Sequence, residues 1–417
     1  MRFKERIKDS SFWIVFLLIY CSQDALVFGT NANRMFFLIK NIFLVTFFIY
    51  IVRKPTQNLG YSSKNASMTL IGLVVMSMLS AMFNVDLTLK YFYEILLFFI
   101  AYNVTRVISF SKFREQYVYS IYYLSLLSVV AYFVSLFAYP LIEVLPTLKN
   151  ESGFMYYSLG GLVNISERPT YGIIRNASLF REPGMYAIFL IISLIFLFNT
   201  DSISSKKKNI IFTVLSIAVF TTLSTAGYIG LVLVLLYLVI GKNKQITFSS
   251  KLVLLIISLA GFYFLISNES LASSVFNKMS GNNASADSRF GAIYNNIEMW
   301  QRSVVSMLFG NGYYFVESNI DVVAMRNGYV AGDNTNTFFK MLSVHGFFYF
   351  IFVLTLLYMS CRRLVTNWLS LYVFILICVM LSNEDLIFNQ VLYIILFYGL
   401  TTRERNEGDS TRRLSAV

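Results

Sequence analysis

The sequence predicts an all-α protein that crosses a membrane about twelve times, with both termini in the cytoplasm. Three observations support this class. Hydrophobic residues make up 57% of the 417 residues and charged residues only 13%, which is more apolar surface than a soluble core needs. Apolar runs recur along the whole chain, and Lys and Arg are concentrated in every second loop.

The apolar runs predict the individual helices, several of them near the shortest length that crosses a bilayer. The predicted spans are 11–29, 35–52, 66–83, 88–105, 117–139, 184–199, 209–224, 227–241, 251–267, 336–360, 366–382 and 386–401. Together they form one transmembrane domain, residues 1–401. The remaining residues, 402–417, are predicted to be a disordered cytoplasmic tail.

The 34 Lys and Arg residues set the orientation. Most of them lie in the two tails and in alternate loops, whereas the short loops between carry little beyond Arg34 and Lys90. Because basic loops stay on the cytoplasmic side, both termini are predicted to be cytoplasmic. Topology therefore explains the net charge of +12, and the predicted partner is the lipid bilayer, with no nucleic acid.

Two long loops, 140–183 and 268–335, lie on the outer face in this arrangement. Both carry mixed charges, and loops of this length are uncommon unless they are functional. The second loop contains apolar residues at helical spacing, which are Phe290, Ile293, Ile297, Trp300, Val304 and Leu308. Their spacing predicts an amphipathic helix within 288–312 that lies on the membrane interface.

This predicted helix carries charges on its other side. Glu298 and Arg302 are four residues apart and are predicted to pair. Arg289 stands near the helix start, where the membrane interface would hold it at the level of lipid phosphates. Gly310 and Gly312 are predicted to end the helix.

The first long loop ends in Arg181-Glu182-Pro183-Gly184, directly before an apolar run. One interpretation is structural, because Glu182 near the N-cap and Pro183 in the first turn would start a helix. The other is functional. The helix start and Arg181 would then hold an anion, and Glu182 would act as a base. The sequence leaves both interpretations open.

Ionisable residues also lie in or at the ends of the predicted spans, namely Asp24, Lys40, Lys90, Glu94, Lys340 and His345. Charges at membrane depth are costly, so they indicate pairing or function. Lys90 and Glu94 are predicted to neutralise each other. Lys40 and Lys340 are close enough to a span end to extend to the interface, and Lys340 is alternatively a ligand for lipid phosphate. His345 either completes hydrogen bonds in the bundle or binds substrate.

Several features together resemble a known family. They are twelve spans, two long outer loops, the sequence FREPG opening a helix, and SR-x10-W-x9-GNG followed by DN before another span. In these features the chain resembles the Wzy O-antigen polymerases and, more distantly, the O-antigen ligases of the same superfamily. The ligases carry a histidine–asparagine pair before the tenth span. Here that position reads Asp333-Asn334, which argues against a ligase.

The resemblance implies a multi-pass glycosyltransferase of the bacterial inner membrane. Its substrates would be oligosaccharides on undecaprenyl pyrophosphate, and it would transfer the growing glycan en bloc to a new repeat unit at the periplasmic face. A chain-length regulator protein and a flippase are the implied partners. The family's loop arginines correspond here to Arg175, Arg181 and Arg289.

The candidate residues fit this chemistry on their own. A pyrophosphate leaving group needs cations, and arginine suits phosphate oxygens, while an attacking hydroxyl needs a base. The catalytic candidates are Arg181, Glu182, Arg289 and Asp333. The substrate-binding candidates are Arg175, Arg302, Asn334, Lys340 and His345. The sequence contains no nucleotide or zinc signature, so no cofactor and no metal are predicted.

Two other functions remain open for this sequence. A ligase that moves finished glycan would share the topology, although the Asp333-Asn334 pair weighs against it. A flippase or transporter would be expected to show two related halves and short loops, which this sequence does not. The sugars, their linkage and the stereochemistry of transfer are not encoded in any motif.

Overall fold

A computed structural model describes residues 9–29, 34–54, 63–151, 153–167, 174–241, 256, 284–329, 334–365 and 367–400. The predicted span 251–267, apart from residue 256, lies outside the described residues. The predicted tail 402–417 also lies outside them.

The described part of the chain is mostly helical. Its first helices are α1 (Ser10–Tyr20), α2 (Leu26–Gly29), α3 (Arg34–Arg53), α4 (Ser63–Phe83), α5 (Leu89–Val107), α6 (Phe110–Phe137) and α7 (Tyr139–Glu143). The middle helices are α8 (Pro183–Phe198), α9 (Ser205–Thr222) and α10 (Thr225–Ile240). The last are α11 (Ala284–Trp300), α12 (Val304–Phe309), α13 (Gly312–Arg326), α14 (Thr337–Leu364), α15 (Leu369–Leu381) and α16 (Gln390–Tyr398).

Three of these helices are long and apolar enough to cross a membrane, namely Lys64–Phe83, Phe110–Phe137 and Thr337–Leu364. Shorter apolar helices accompany them, at Ser10–Tyr20, Pro183–Phe198, Thr225–Ile240 and Leu369–Leu381. Along α4, large apolar side chains at helical spacing are exposed, which are Met68, Ile71, Val75, Met78 and Met82. Such a stripe suits a lipid surrounding better than water. The prediction of a membrane-associated helical protein is supported at this level.

Helix α8 lies at the centre of the bundle. All of its residues from Pro183 to Phe198 are buried, as expected for a helix that is apolar on every side. It packs against α6, α9 and α10. Glu182 is its N-cap in an extended conformation and Pro183 its first residue, so the predicted helix start is confirmed. The charged pair Arg181-Glu182 is thereby fixed at the end of the most buried helix.

The prediction of an all-α chain is wrong in the first long loop, which contains a four-stranded antiparallel sheet. The strands are β1 (Thr147–Lys149), β2 (Met155–Leu159), β3 (Val163–Ser166) and β4 (Asn176–Ser178), in that order. Tyr156 packs with Leu26 on one face, and Tyr157 packs with Ile142 on the other. Strands of three to five residues are too short to show alternation, and β2, β3 and β4 are in addition largely buried on both faces, so periodicity does not reveal them.

The sheet is joined to the turn after α1. Leu26 donates its N–H to the Leu179 carbonyl at 2.9 Å, and Ala25 forms an isolated antiparallel bridge with Phe180. These bonds hold the segment between β4 and α8 against α2. Arg181 therefore enters α8 from a fixed backbone.

The single amphipathic helix predicted within 288–312 is in fact two helices, α11 and α12. The break falls between Trp300 and Val304, where the Ser303 hydroxyl accepts a hydrogen bond from the Ser306 N–H at 3.0 Å and caps α12. A local cap thus outweighs the continuous apolar spacing. A separate helix, α13, begins at Gly312, two residues after the predicted stop at Gly310.

The interfacial placement of this helix stays a prediction, and its contacts lie within the bundle. Helix α11 packs against α14 and buries Ala292, Asn295, Asn296 and Met299, a face that includes two asparagines. The predicted apolar stripe lies to one side of this contact, and Val304 is exposed. Polar packing onto α14 therefore sets its position.

Helix α14 is broken at Gly346, within the span predicted as continuous. Gly346 has φ 80° and ψ −175°, and a Cβ there would lie 2.4 Å from the Gly310 nitrogen. The loop before α13 fits into this break. Asn311 donates its N–H to the Ser343 carbonyl at 2.8 Å, and the Ser80 hydroxyl donates to the Val344 carbonyl at 2.7 Å. Carbonyls freed by the break are thereby satisfied.

Candidate functional site

Arg181 is held at the start of α8 by its backbone. Its N–H donates to the Asp24 carbonyl at 2.8 Å, and its own carbonyl accepts from Asn150 Nδ2 at 3.3 Å. The guanidinium is 16% exposed and lies 3.5 Å from Glu151. Its Nη2 donates to the Asp385 carbonyl at 3.3 Å. The Nε of Arg181 is buried and has no hydrogen-bond partner among the described residues.

Lys340 reaches the same place from another helix. Asn336 caps α14 by accepting the Phe339 N–H at 3.1 Å, which sets Lys340 on the first turn. Its Nζ lies 2.5 Å from Asp385 Oδ2, with the side chains 10% and 23% exposed. Asp385 lies in the turn between α15 and α16. Two predicted cations from distant parts of the chain therefore meet at one aspartate.

We call this group the Arg181 cluster. It consists of Arg181, Lys340, Asp24, Glu182, Glu384 and Asp385. Asp24 and Glu384 are buried, and Asp24 accepts a short hydrogen bond from Asn389 Nδ2. Burial disfavours the charged guanidinium, but the carboxylates of Asp24 and Glu182 outweigh it and hold the pKa of Arg181 above its ordinary value. Arg181 is a permanent cation in this site.

Tyr156 borders the cluster from strand β2. Its side chain is 3% exposed. Burial raises the pKa of the Tyr156 hydroxyl, and the nearby Glu182 carboxylate raises it further. The phenol is therefore a neutral hydrogen-bonding group beside Glu182. Sequence reasoning missed it because the strand that carries it was not predicted.

Arg175 lies beside the cluster but is tied to a different element. Its Nε donates to the Thr222 carbonyl at 3.0 Å and its Nη2 to the Leu223 carbonyl at 3.3 Å. These are the last carbonyls of α9, and Leu223 has the left-handed conformation. Arg175 thus stabilises a helix C-terminus. Its role in substrate binding remains a prediction.

Arg302 lies in a separate pocket between the α4–α5 turn and the start of α13. Its guanidinium carbon is 4.3 Å from the centre of the Phe315 ring. The predicted pair with Glu298 is wrong, because Glu298 instead bonds Arg326 and Asn327 on α13. The helix break after Trp300 separates the two partners.

His345 belongs to a buried network inside the bundle. Its Nε2 lies 3.2 Å from Glu94 Oε1 and 3.2 Å from the Tyr313 hydroxyl. Glu94 also accepts hydrogen bonds from Ser77 at 2.7 Å and Tyr349 at 2.9 Å. This supports the interpretation of His345 as a hydrogen-bonded residue of the bundle.

Two predictions about membrane-depth lysines are wrong. Lys90 forms an ion pair with Glu317 on α13 and not with Glu94, because α13 packs beside the start of α5. Lys40 is fully buried and does not extend to water. Its ammonium lies 5.3 Å from the centre of the Tyr93 ring, where the aromatic face attracts the charge.

The remaining candidates are only partly described. Asn334 and Asn296 exchange hydrogen bonds at 2.7 and 3.2 Å, so Asn334 attaches the start of α14 to α11. Arg289 lies near the start of α11, but its side chain is not among the described ones. Asp333 lies outside the described residues. Their convergence with Arg181 therefore stays a prediction.

No protein-family model matches this chain, and no curated protein or solved structure matches it either. Within the described ranges, no group of three or more His, Cys, Asp or Glu residues is arranged to hold a metal ion. The likeness to the O-antigen polymerases thus depends on topology and short sequence motifs.

Proposed function

We propose that the chain is a Wzy-type polysaccharide polymerase that crosses the bacterial inner membrane about twelve times. In this proposal the Arg181 cluster faces the periplasm. Its substrates are oligosaccharide repeat units on undecaprenyl pyrophosphate, and the growing glycan is transferred en bloc to a new unit. The product is O-antigen or a related polysaccharide.

The observation that carries the proposal is the meeting of Arg181 and Lys340 at Asp385. The sequence predicts both as ligands for phosphate, and they lie at the starts of two different helices, α8 and α14. Arg181 and Lys340 bring two cationic donors of the kind that phosphate oxygens accept to one point, where the carboxylates of the cluster hold them in place. The Arg181 side chain is 16% exposed, so part of it is open to such a group.

The reaction assigns each group a role. The acceptor hydroxyl oxygen forms a bond to the anomeric carbon of the donor glycan. The bond from that carbon to the phosphate oxygen breaks, and undecaprenyl pyrophosphate leaves with the electron pair. Glu182 takes the hydroxyl proton as the base. Arg181 and Lys340 stabilise the negative charge that develops on the leaving phosphate.

A second candidate function, a flippase for lipid-linked sugars, has one observation in its favour. Helix α14 is discontinuous at Gly346 and lies beside the buried Glu94–His345 pair. Broken helices and membrane-depth charges recur in transporters. The two long loops with their own secondary structure favour the polymerase.

The test uses a strain that lacks the chromosomal copy and carries plasmid variants. Arg181→Lys keeps the charge but loses the planar donor fork, so we expect a loss of about 1.5–3 kcal/mol for each charged hydrogen bond. Glu182→Gln keeps the cap geometry but loses the base, which is worth roughly 10²–10⁴-fold in rate. Arg326→Lys, at an exposed arginine outside the cluster, is the matched control.

The measurement is the ladder of glycan lengths on lipopolysaccharide at equal protein levels. Ladders shortened to single units in the cluster variants, with a normal ladder in the control, support a polymerase. Complete absence of glycan, with lipid-linked units retained inside, would indicate a flippase. Normal ladders in both cluster variants would make Arg181-Glu182 a helix start only and would refute the proposed site.

A further inference from the structure

A pocket of about 570 Å³ lies apart from the Arg181 cluster. One wall is the turn 84–88 between α4 and α5, and the other is formed by Arg302 and the segment 311–315. Its volume falls in the range of small-molecule binding sites. The proposed reaction does not use this pocket.

Hydrogen bonds hold the two walls in place. The Asp86 carboxylate accepts the Thr88 N–H at 3.0 Å within its own turn and the Tyr314 N–H at 2.8 Å across the pocket. Asn84 Nδ2 donates to the Gly310 carbonyl at 3.2 Å. Gly312 allows this approach, because it has φ +78° and a Cβ there would lie 2.7 Å from Asp86. The pocket is therefore a defined structure and not an accidental gap.

Several residues of the two pocket walls have features that the packing of side chains alone does not explain. Val85 has φ 50°, which is costly for a β-branched residue and is found at ligand sites more often than elsewhere. The Thr88 hydroxyl is buried without a hydrogen-bond partner among the described residues. The Arg302 guanidinium carbon lies 4.3 Å from the centre of the Phe315 ring, and the Arg302 residue is exposed. Tyr314 is 70% exposed.

We propose that this pocket binds a sugar ring of the glycan substrate. A pyranose presents hydroxyls around its edge and C–H bonds on its faces. The hydroxyls match the guanidinium of Arg302 as donor, and the oxygens of Asp86 and Asn84 as acceptors, because each oxygen has a further lone pair. The apolar face matches the exposed ring of Tyr314. The pocket thus offers hydrogen-bond donors, acceptors and an aromatic face together, which is the combination that a sugar ring presents.

The pocket is close to the proposed reaction site. Asn311, which lines the pocket, donates Nδ2 to the Ser343 carbonyl at 3.2 Å. The Ser343 hydroxyl in turn donates to the Lys340 carbonyl at 3.1 Å, less than one helical turn away. The pocket is thus connected by hydrogen bonds to the first turns of α14, which carry Lys340. The identity of the glycan rests on the proposed function, whereas sugar binding itself does not.

The experiment measures binding to the purified full-length chain in detergent. The probe is the free oligosaccharide, one to four repeat units long, released by mild acid from the lipid-linked glycan of the source strain. Tyr314→Ala removes the exposed ring, and Arg302→Ala removes charged donors. Each is expected to weaken binding about tenfold or more. Tyr294→Ala and Arg326→Ala are matched controls, because both residues are exposed and lie outside the pocket.

Calorimetric titration decides the outcome. Weaker binding in both pocket variants, with wild-type affinity in both controls, supports the site. No binding by the wild-type chain, or equal losses in pocket and control variants, overturns it. The ladder test of Arg181 is independent of this titration. Normal ladders in Arg181→Lys, with sugar binding intact, would refute the proposed function but not the sugar site. Short ladders in Arg181→Lys, with no sugar binding at the pocket, would refute the sugar site alone.

Discussion

Replacing Asp385 by asparagine separates the stability of the Arg181 cluster from its chemistry. Asparagine keeps an oxygen for the Ile387 N–H, which now donates to Asp385 Oδ1 at 3.1 Å, and leaves the backbone contact to Arg181 unchanged. It removes the charge that lies 2.5 Å from Lys340 Nζ. The variant therefore tests one ion pair with little other disturbance.

The structure sets the size of the effect. Breaking a fully buried ion pair costs about 3–5 kcal/mol, and a charged hydrogen bond contributes about 1.5–3 kcal/mol. Lys340 is 10% and Asp385 23% exposed, so solvent screens the pair only in part. We expect Asp385→Asn to lower the free energy of unfolding by about 2 kcal/mol. Lys340→Met should cost a similar amount alone but much less when combined with Asp385→Asn.

The assay uses the protein's own cysteines. Cys21 and Cys361 are buried and Cys378 is half-buried, all as free thiols, so a thiol-reactive fluorescent dye reports unfolding in detergent as temperature rises. Activity is read separately from glycan ladders at a permissive temperature. Asp385→Asn should keep long ladders, because Lys340 remains. Lys340→Met should lose them in both backgrounds. Strictly additive losses of stability would refute the ion pair, and long ladders in Lys340→Met would refute its role in binding phosphate.

Two further predictions concern packing. Gly310→Ala should destabilise the chain by more than about 2 kcal/mol, because Gly310 has φ +78° and a Cβ would lie 2.1 Å from the Val344 carbonyl oxygen. Gly328→Ala is the control, since Gly328 has φ +76° but open space around it. It should cost only the conformational strain. Arg175→Met removes the hydrogen bonds to the last carbonyls of α9, so it should lower the free energy of unfolding by about 1–2 kcal/mol and with it the thermal midpoint. The ladders should stay long at normal expression. Short ladders at normal stability would instead make Arg175 a substrate ligand.

The positions of most helices could be predicted from the sequence because long apolar runs have few alternatives at membrane depth. The start of α8 at Pro183 was also predictable, since proline and a preceding carboxylate favour one location. The sheet was not, because its strands are only three to five residues long and β2, β3 and β4 are largely buried on both faces. The break at Gly346 was hidden for a similar reason. A glycine in an apolar run has no distinct signal until its neighbour, Gly310, is known.

Of the candidate site, the sequence predicted the two cations but not the aspartate that they share. Arg181 and Lys340 stood out because cations near apolar runs are costly. Their common partner did not, since Asp385 lies in a short polar turn that resembles any solvated loop. Lys90 and Glu94 show the converse error. Their spacing satisfied the helical rule for pairing, yet each found a stronger partner on another helix, and sequence spacing cannot reveal tertiary neighbours.

The placement of charge inside the bundle distinguishes the two functions considered. Glu94 and His345 are fully buried and connect five helices. Ser77 lies on α4, Glu94 on α5, Tyr313 on α13, His345 on α14 and a further donor, Tyr393, on α16. A lipid pyrophosphate cannot reach a pair with no exposed surface, so this network specifies helix packing. The side chains of Arg181 and Lys340 are 16% and 10% exposed, at the starts of α8 and α14. Partly exposed cations at the end of the bundle suit a group transfer at the membrane surface, whereas a transport path would require the buried pair to become exposed.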